Sequence, residues 1–242
     1  GGVRHEDMLM MTPRRLIRHR PSIGISGIIR RLRRNQSGLA LTEFALSLPI
    51  FVGLGMYGTE LAYLAVVNMQ MSQAALTLAD NASRLGQTQN NVTSVAIKES
   101  DIITVFNGLK LQGQTFDLLS NGRVILTSLE RNPTGGQWIH WQRCLGTMKV
   151  KSDYGDEGTG LIGTSFPGMG RAGQEVTALS GTAVMFVELN YKYKGLFGDL
   201  FVKDKILNQQ AAHNIRDNRN LTVGLIDDAP LKELYCTKYT AG

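Results

Sequence analysis

A carboxylate inside an apolar segment is the most unusual chemical feature of the sequence. Glu43 is the fifth residue of the segment 39–67 (LALTEFALSLPIFVGLGMYGTELAYLAVV), whose only other charged residue is Glu60. An ionised carboxylate at the centre of a membrane helix costs about 2.5–3.5 kcal/mol, and less near the interface. A helix that serves only as an anchor has no need of such a group. Glu43 therefore predicts a cation close by, either local or from another chain.

Two matches to GxGxxG occur further along the chain, at residues 158–163 and 168–173. A dinucleotide site needs a strand before this motif, a helix after it and an acidic residue beyond. Both matches instead fall within one glycine-rich stretch, residues 145–175, which is typical of a loop. We attribute them to chance and predict no cofactor.

Three acidic residues lie close together within the same stretch: Asp153, Asp156 and Glu157. Such carboxylates can bind calcium together with loop carbonyls, but the spacing of an EF-hand is absent. We favour a solvated acidic loop over a calcium site and predict no metal.

The part of the chain after residue 67 has two histidines, His140 and His213, and neither HExxH nor GxSxG. His140 lies between Trp138 and Trp141 in a predicted strand. The two tryptophans are expected on opposite faces, so that one at most belongs to the core and the other is available for an interface. The sequence predicts a non-enzymatic protein.

The net charge of +6 is concentrated at the N-terminus. Residues 1–38 contain nine arginines and two acidic residues, whereas the remaining 204 residues contain 17 basic and 18 acidic residues. Nucleic-acid binding requires clustered positive charge on the folded domain. The neutral remainder therefore argues against a nucleic-acid partner, and residues 1–38 are predicted to be a basic cytoplasmic leader.

The apolar segment is long enough to cross a membrane, since about 20 helical residues span the hydrocarbon core. Four arginines precede it at positions 30, 31, 33 and 34, and residues 68–80 contain neither lysine nor arginine. The positive-inside rule places the leader in the cytoplasm and residues 68–242 outside. A secretory signal peptide is the alternative, but its apolar region has about 7–15 residues. We expect Glu60, near the outer interface, to reach water.

Apolar or small residues continue beyond the span at intervals of three and four. This spacing predicts one helix over residues 39–85, ended by Gly86, with the membrane span at about 39–67 and a stalk at 68–85. Residues 86–242 form the predicted head, a small, mainly antiparallel α+β unit. Its predicted elements are helices at 93–109 and 204–219 and strands at 123–131, 137–144, 182–193 and 221–226.

Cys144 and Cys236, the two cysteines of the chain, both lie on the side predicted to be outside. That compartment favours a disulfide over the alternative of two buried thiols. The bond would close a loop of about 90 residues and contribute about 4 kcal/mol through loop entropy.

The junction of the leader with the apolar segment resembles the class III signal of type IV prepilins. A glycine, Gly38, ends the polar leader, an apolar residue follows, and Glu43-Phe44-Ala45 and Pro49 come soon after. Together with the alanine-rich continuation, residues 35–86 look like the TadE-like minor pilin (pseudopilin) family of tight-adherence (Flp) pilus systems. The likeness is looser over 123–200, and Phe44 replaces the tyrosine usual in the family.

The resemblance implies that prepilin peptidase cuts between Gly38 and Leu39, and that Glu43 pairs with the new amine of a neighbouring subunit. It further implies a single-pass protein of the bacterial inner membrane with a periplasmic head, which can also enter the surface pilus. The implied partners are the major Flp pilin, other minor pilins, the Tad inner-membrane assembly platform and membrane lipid. The alternative is a TadG-like protein, a membrane-anchored periplasmic binding module with an uncleaved anchor.

Overall fold

The computed structural model describes residues 25–34, 37–88, 94–228 and 234–241. The chain divides into two compact units between Gly53 and Leu54. The helices are α1 (Ile25–Arg34), α2 (Ser37–Ser83), α3 (Glu99–Gly113) and α4 (Leu118–Asn121), with 3₁₀ turns at Leu85–Thr88 and Gln114–Phe116. The strands are β1 (Ile97–Lys98), β2 (Gly122–Arg131), β3 (Gln137–Leu145), β4 (Ala183–Lys192), β5 (Ile206–Asn214) and β6 (Leu225–Ile226).

The long helix α2 has 47 residues, as many as the helix predicted at 39–85, and begins and ends two residues earlier. From Gly38 onward it is the one helix in the described ranges that is long and apolar enough to cross a membrane. In the first unit, large apolar side chains such as Leu41, Leu46 and Phe51 are exposed on its surface. A continuous apolar surface of this kind indicates contact with lipid or with another protein.

A four-stranded antiparallel sheet forms the centre of the second unit, in the order β3-β2-β4-β5. The strands β2, β3 and β4 match the predicted strands at 123–131, 137–144 and 182–193 to within one residue. The predicted α+β fold class, a long apolar helix followed by a mainly antiparallel unit, is confirmed.

The helix predicted at residues 204–219 is wrong, because most of this segment is the edge strand β5. The sequence of β5, ILNQQAAHN, is rich in Ala and Gln, which favour helix. Antiparallel pairing with β4 along its whole length overrides that preference. Leu207 and Ala211 then lie four residues apart on the same face of the sheet, where both are buried.

The main core lies between one face of the sheet and the second-unit part of α2. Residues buried on α2 recur every three or four positions, as the predicted stripe requires: Val67, Met71, Ala74, Ala75, Leu78, Ala79 and Ala82. The many alanines let the helix approach the sheet closely. Opposite them lie alternate residues of β2 and β4, including Val124, Leu126, Met185, Val187 and Leu189.

The glycine-rich segment between β3 and β4 covers the other face of the sheet. Met169 and Ala178 pack there against Ile139 and Phe186 in a second, smaller core. Gly160 has a φ of +81°, and a Cβ at this position would overlap the Gln137 carbonyl. Glycine is therefore needed here for backbone conformation and close packing, rather than for phosphate binding.

Smaller elements flank the sheet. The helix predicted at 93–109 is displaced to α3, because residues 97–98 form β1, which pairs in parallel with β6. β6 is the short counterpart of the strand predicted at 221–226. Lys98 is the N-cap of α3, and its backbone N–H donates to the Asp101 carboxylate at 3.0 Å, half of a capping box.

Candidate functional site

The residues predicted for processing and assembly, Gly38, Leu39 and Glu43, lie in the first two turns of α2. Leu39 and Glu43 are four positions apart and therefore share one face of the helix, where both are exposed. The Thr42 hydroxyl donates to the Leu39 carbonyl at 2.8 Å, within the helix. The helix thus presents the proposed new N-terminus and the carboxylate at one surface.

Among the described residues, no side chain or backbone atom requires glycine at position 38. A Cβ built there meets no heavy atom within 4 Å. At Gly195, by contrast, a Cβ would overlap the Glu60 carboxylate, so the fold itself requires glycine there.

Glu60 is not solvated, contrary to expectation. It has 0% of its surface exposed, and its carboxylate accepts hydrogen bonds from the Tyr193 hydroxyl at 2.7 Å and the Phe197 backbone N–H at 3.2 Å. Burial and the neighbouring carboxylate raise the pKa of Tyr193 above its usual value, so the hydroxyl remains a donor at neutral pH. We call this group of Glu60, Tyr193 and Phe197 the Glu60 latch.

The Glu60 latch joins α2 to the end of β4, 133 residues later in the chain. It thereby fixes the axial position and the rotation of the second-unit part of α2 on the sheet, since a buried carboxylate tolerates little displacement from its donors. Asn68 adds a second polar contact two turns further along, accepting from the Gln209 amide of β5 at 2.9 Å.

The disulfide predicted from the sequence is present, between Cys144 at the end of β3 and Cys236 near the C-terminus. Beside it, the buried Arg123 guanidinium donates to the Gly146 and Cys236 carbonyls, at 2.8 Å each. The same guanidinium lies over the Tyr239 ring, 4.4 Å from its centroid. A covalent bond and a buried cation thus hold the C-terminal segment 234–241 on the sheet.

The acidic loop does not gather its carboxylates around one point. Glu157 accepts from the Arg143 guanidinium at 2.9 Å and from the Gln142 backbone N–H at 3.0 Å. Asp156 lies 3.6 Å from the Lys151 ammonium. Within the described residues, no three His, Cys, Asp or Glu side chains are arranged to hold a metal ion.

The neighbourhood of His140 contains Ser, Glu and His, but not in the order that activates a nucleophile. Glu130 lies in the middle, accepting from the Ser128 hydroxyl at 2.7 Å and lying 2.8 Å from His140 Nδ1. A hydrolytic triad instead places histidine between serine and the acid. This contact fastens β2 to β3, and the non-enzymatic function stays a prediction.

The tryptophans do not lie on opposite faces. The register of β2 and β3 shifts between Ser128 and Leu129, where His140 is the additional residue of a β-bulge. The bulge aligns Trp138 with Trp141 on one face. Trp141 belongs to the core, while Trp138 is half-buried and stacks on His140 with centroids 4.3 Å apart.

Sequence reasoning missed the partner of Glu60, which is the segment that follows β4. The available signal was the apolar run Gly195-Leu196-Phe197-Gly198 directly after Lys194, which is unusual for an exposed loop. Comparison with known proteins found no matching family model, curated protein or solved structure. The arrangement of elements, an N-terminal apolar helix whose second half packs on an antiparallel sheet, is pilin-like.

Proposed function

We propose that this protein is a non-enzymatic minor pilin, or pseudopilin, of a Tad (Flp) pilus. In this proposal α2 crosses the bacterial inner membrane once, with the leader in the cytoplasm and the disulfide-bonded head in the periplasm. Prepilin peptidase removes residues 1–38, and the mature protein acts in pilus assembly, secretion and adhesion.

The observation that carries the proposal is the placement of Leu39 and Glu43 one turn apart at the start of a membrane-length helix. Cleavage after Gly38 gives Leu39 an ammonium group, which the Glu43 carboxylate of a neighbouring subunit can neutralise. Two unit charges 4 Å apart attract by about 4 kcal/mol at an effective dielectric constant of about 20. An attraction of this size offsets the cost of a carboxylate in an apolar helix, about 2.5–3.5 kcal/mol.

The surroundings of Gly38 also support processing. A side chain at this position would meet none of the described residues, so the fold leaves room for a narrow, glycine-specific pocket in the peptidase. The remaining proposed partners are the major Flp pilin, other minor pilins and the Tad inner-membrane assembly platform.

Sequencing the N-terminus of the mature protein, isolated from cells that contain prepilin peptidase, tests the proposal directly. We expect the chain to start at Leu39, and Gly38→Leu to retain the leader because the peptidase pocket no longer admits the residue. Gly53→Leu is the matched control, since a Cβ at Gly53 also meets nothing within 4 Å. An intact leader in the wild type would instead favour the membrane-anchored binding module.

A further inference from the structure

The segment between β4 and β5 carries an exposed apolar surface. We call residues 195–202 (GLFGDLFV) the Leu-Phe loop. Leu196 and Leu200 are 53% and 67% exposed, and Phe197 is also exposed. A connection between antiparallel strands is ordinarily polar, so an apolar surface of this kind indicates an interaction.

Contacts with α2 hold the Leu-Phe loop at one level of the helix. The Phe197 N–H donates to Glu60, and the ring centroids of Phe201 and Tyr57 are 5.7 Å apart. Phe197 and Phe201 also pack edge to face, with centroids 6.0 Å apart. The loop therefore lies beside residues 57–60 of the helix and presents its leucines to the outside.

That level falls in the outer part of the span predicted at about 39–67. The hydrocarbon core takes about 20 helical residues to cross, and counting from Leu39 this number is reached at Gly58. The next charged residue, Glu60, needs its protein donors at this depth because few water molecules are available. The Leu-Phe loop is therefore placed where acyl chains give way to headgroups.

Positive charge borders the apolar surface on both sides. Lys192 and Lys194 precede the loop, and Lys203 and Lys205 follow it, all four exposed. Asp204 is paired with the Lys192 ammonium at 2.8 Å, and with Asp199 the net charge over residues 192–205 is +2. Apolar side chains with a lysine border fit an interface in which leucines enter the acyl region while ammonium groups reach anionic headgroups.

We propose that the Leu-Phe loop is a second membrane anchor, which inserts into the outer leaflet of the membrane that α2 crosses. Its occupant is the phospholipid surface, with a preference for anionic headgroups. Because the Glu60 latch joins the loop rigidly to α2, insertion holds the head in one orientation on the membrane. This inference rests on α2 crossing the membrane and is independent of leader cleavage.

The test uses the full-length protein in vesicles of phosphatidylethanolamine and phosphatidylglycerol, with a fluorescent NBD label at a single introduced cysteine. Leu200→Cys places the label in the loop. Ile162→Cys, at a position 82% exposed in the glycine-rich segment, is the matched control. The native cysteines are bonded to each other and do not react.

We expect NBD at position 200 to show a blue-shifted emission and strong quenching by lipids that carry a nitroxide on the acyl chain. Emission and quenching at position 162 should match those of the label in buffer. Replacing phosphatidylglycerol with phosphatidylcholine should reduce the quenching at 200, and equal quenching in both mixtures would refute the preference for anionic headgroups.

Equal quenching at 200 and 162, in samples where α2 resists carbonate extraction, would overturn the proposal. A blue shift without lipid quenching, which disappears as the protein is diluted in lipid, would show that a second copy covers the loop and would also overturn it. Loss of α2 from the membrane on extraction would contradict the proposed function as well as this inference. Retention of α2 with equal quenching at both positions would contradict this inference alone.

Discussion

Breaking the Glu60 latch should destabilise the head far more than changing the exposed carboxylate Glu43. Glu60→Ala removes the carboxylate acceptor of the partly buried Phe197 N–H and of the Tyr193 hydroxyl, which keeps only the backbone carbonyl of residue 60, at 3.5 Å. Each unsatisfied buried group costs about 1–3 kcal/mol, and because the Phe197 N–H is only partly buried we expect a loss of about 2–4 kcal/mol in the free energy of unfolding. Glu60→Gln keeps an oxygen that accepts from Tyr193, and should cost about 1–2 kcal/mol because Phe197 loses its partner.

The assay is denaturant unfolding of the full-length protein in detergent micelles, followed by tryptophan fluorescence. Trp138 and Trp141, both in the head, report on the sheet. Glu43→Gln is the matched control and should leave the midpoint unchanged. A double-mutant cycle of Glu60→Ala with Tyr193→Phe should give a coupling energy of about 1–2 kcal/mol, because each variant removes the same hydrogen bond.

A wild-type midpoint for Glu60→Ala, or additivity of the two substitutions, would refute the assignment of the Glu60 latch. The pH dependence gives an independent check. Since the folded state raises the pKa of Tyr193 above the ordinary value of 10.0, the tyrosine contributes stability below pH 10 and loses it as the pH rises further. Tyr193→Phe should remove that alkaline loss.

Three other perturbations have defined outcomes. Glu43→Leu and Glu43→Gln should leave membrane insertion and cleavage intact but abolish co-purification with the major pilin and reduce the fibre count. Glu43→Asp should have an intermediate effect. Equal assembly by wild type and Glu43→Leu would refute the pilin mechanism. Burial raises the pKa of Glu188 to about 7 from 4.5, although the Ser152 hydroxyl and the Asp153 N–H donate to its carboxylate. The stability that Glu188 contributes is therefore fully present below pH 4.5 and is lost as the pH rises through 7. The melting temperature should fall over that range, and Glu188→Gln should flatten its dependence on pH. The same pH dependence in Glu188→Gln and wild type would contradict this. Cys236→Ser should lower the free energy of unfolding by about 4 kcal/mol and remove the mobility difference between reducing and non-reducing gels. Labelling of both cysteines of the native wild-type protein by a thiol reagent would refute the disulfide.

The elements that could be predicted from sequence are those whose local pattern agrees with their packing. The helix α2 is apolar over a membrane length and then continues with small residues at helical spacing, so composition and period indicate the same structure. The strands β2 and β4 are rich in branched and aromatic residues, and β2 and β3 are separated by the turn cluster around Pro133 and Gly135.

Elements that depend on distant residues could not be predicted. The strand β5 has a helix-favouring composition and becomes a strand because β4 offers an unpaired edge. Glu60 lies in an apolar segment, and nothing in its sequence neighbourhood identifies Tyr193 as its partner. The common facing of the tryptophans depends on a bulge of one residue at His140, which reverses the alternation for the remainder of β3.

The exposed surface of α2 beyond Glu60 favours one of the two roles considered for this helix, that of a pilin helix over that of a simple tether. One face of this part is buried in the head, yet large apolar residues are exposed on its other faces: Leu61, Val66, Met69 and Leu76. Met69 and Leu76 lie beyond the span predicted at about 39–67, where a simple tether has no use for an exposed apolar surface. In a fibre, neighbouring helices would cover it, and burial of apolar area favours association by about 25 cal/mol per Å². The proposed pilin role therefore gives this helix a reason to be apolar against lipid before cleavage and against other subunits after it, whereas the tethered binding module gives no reason for the exposed apolar residues beyond the span.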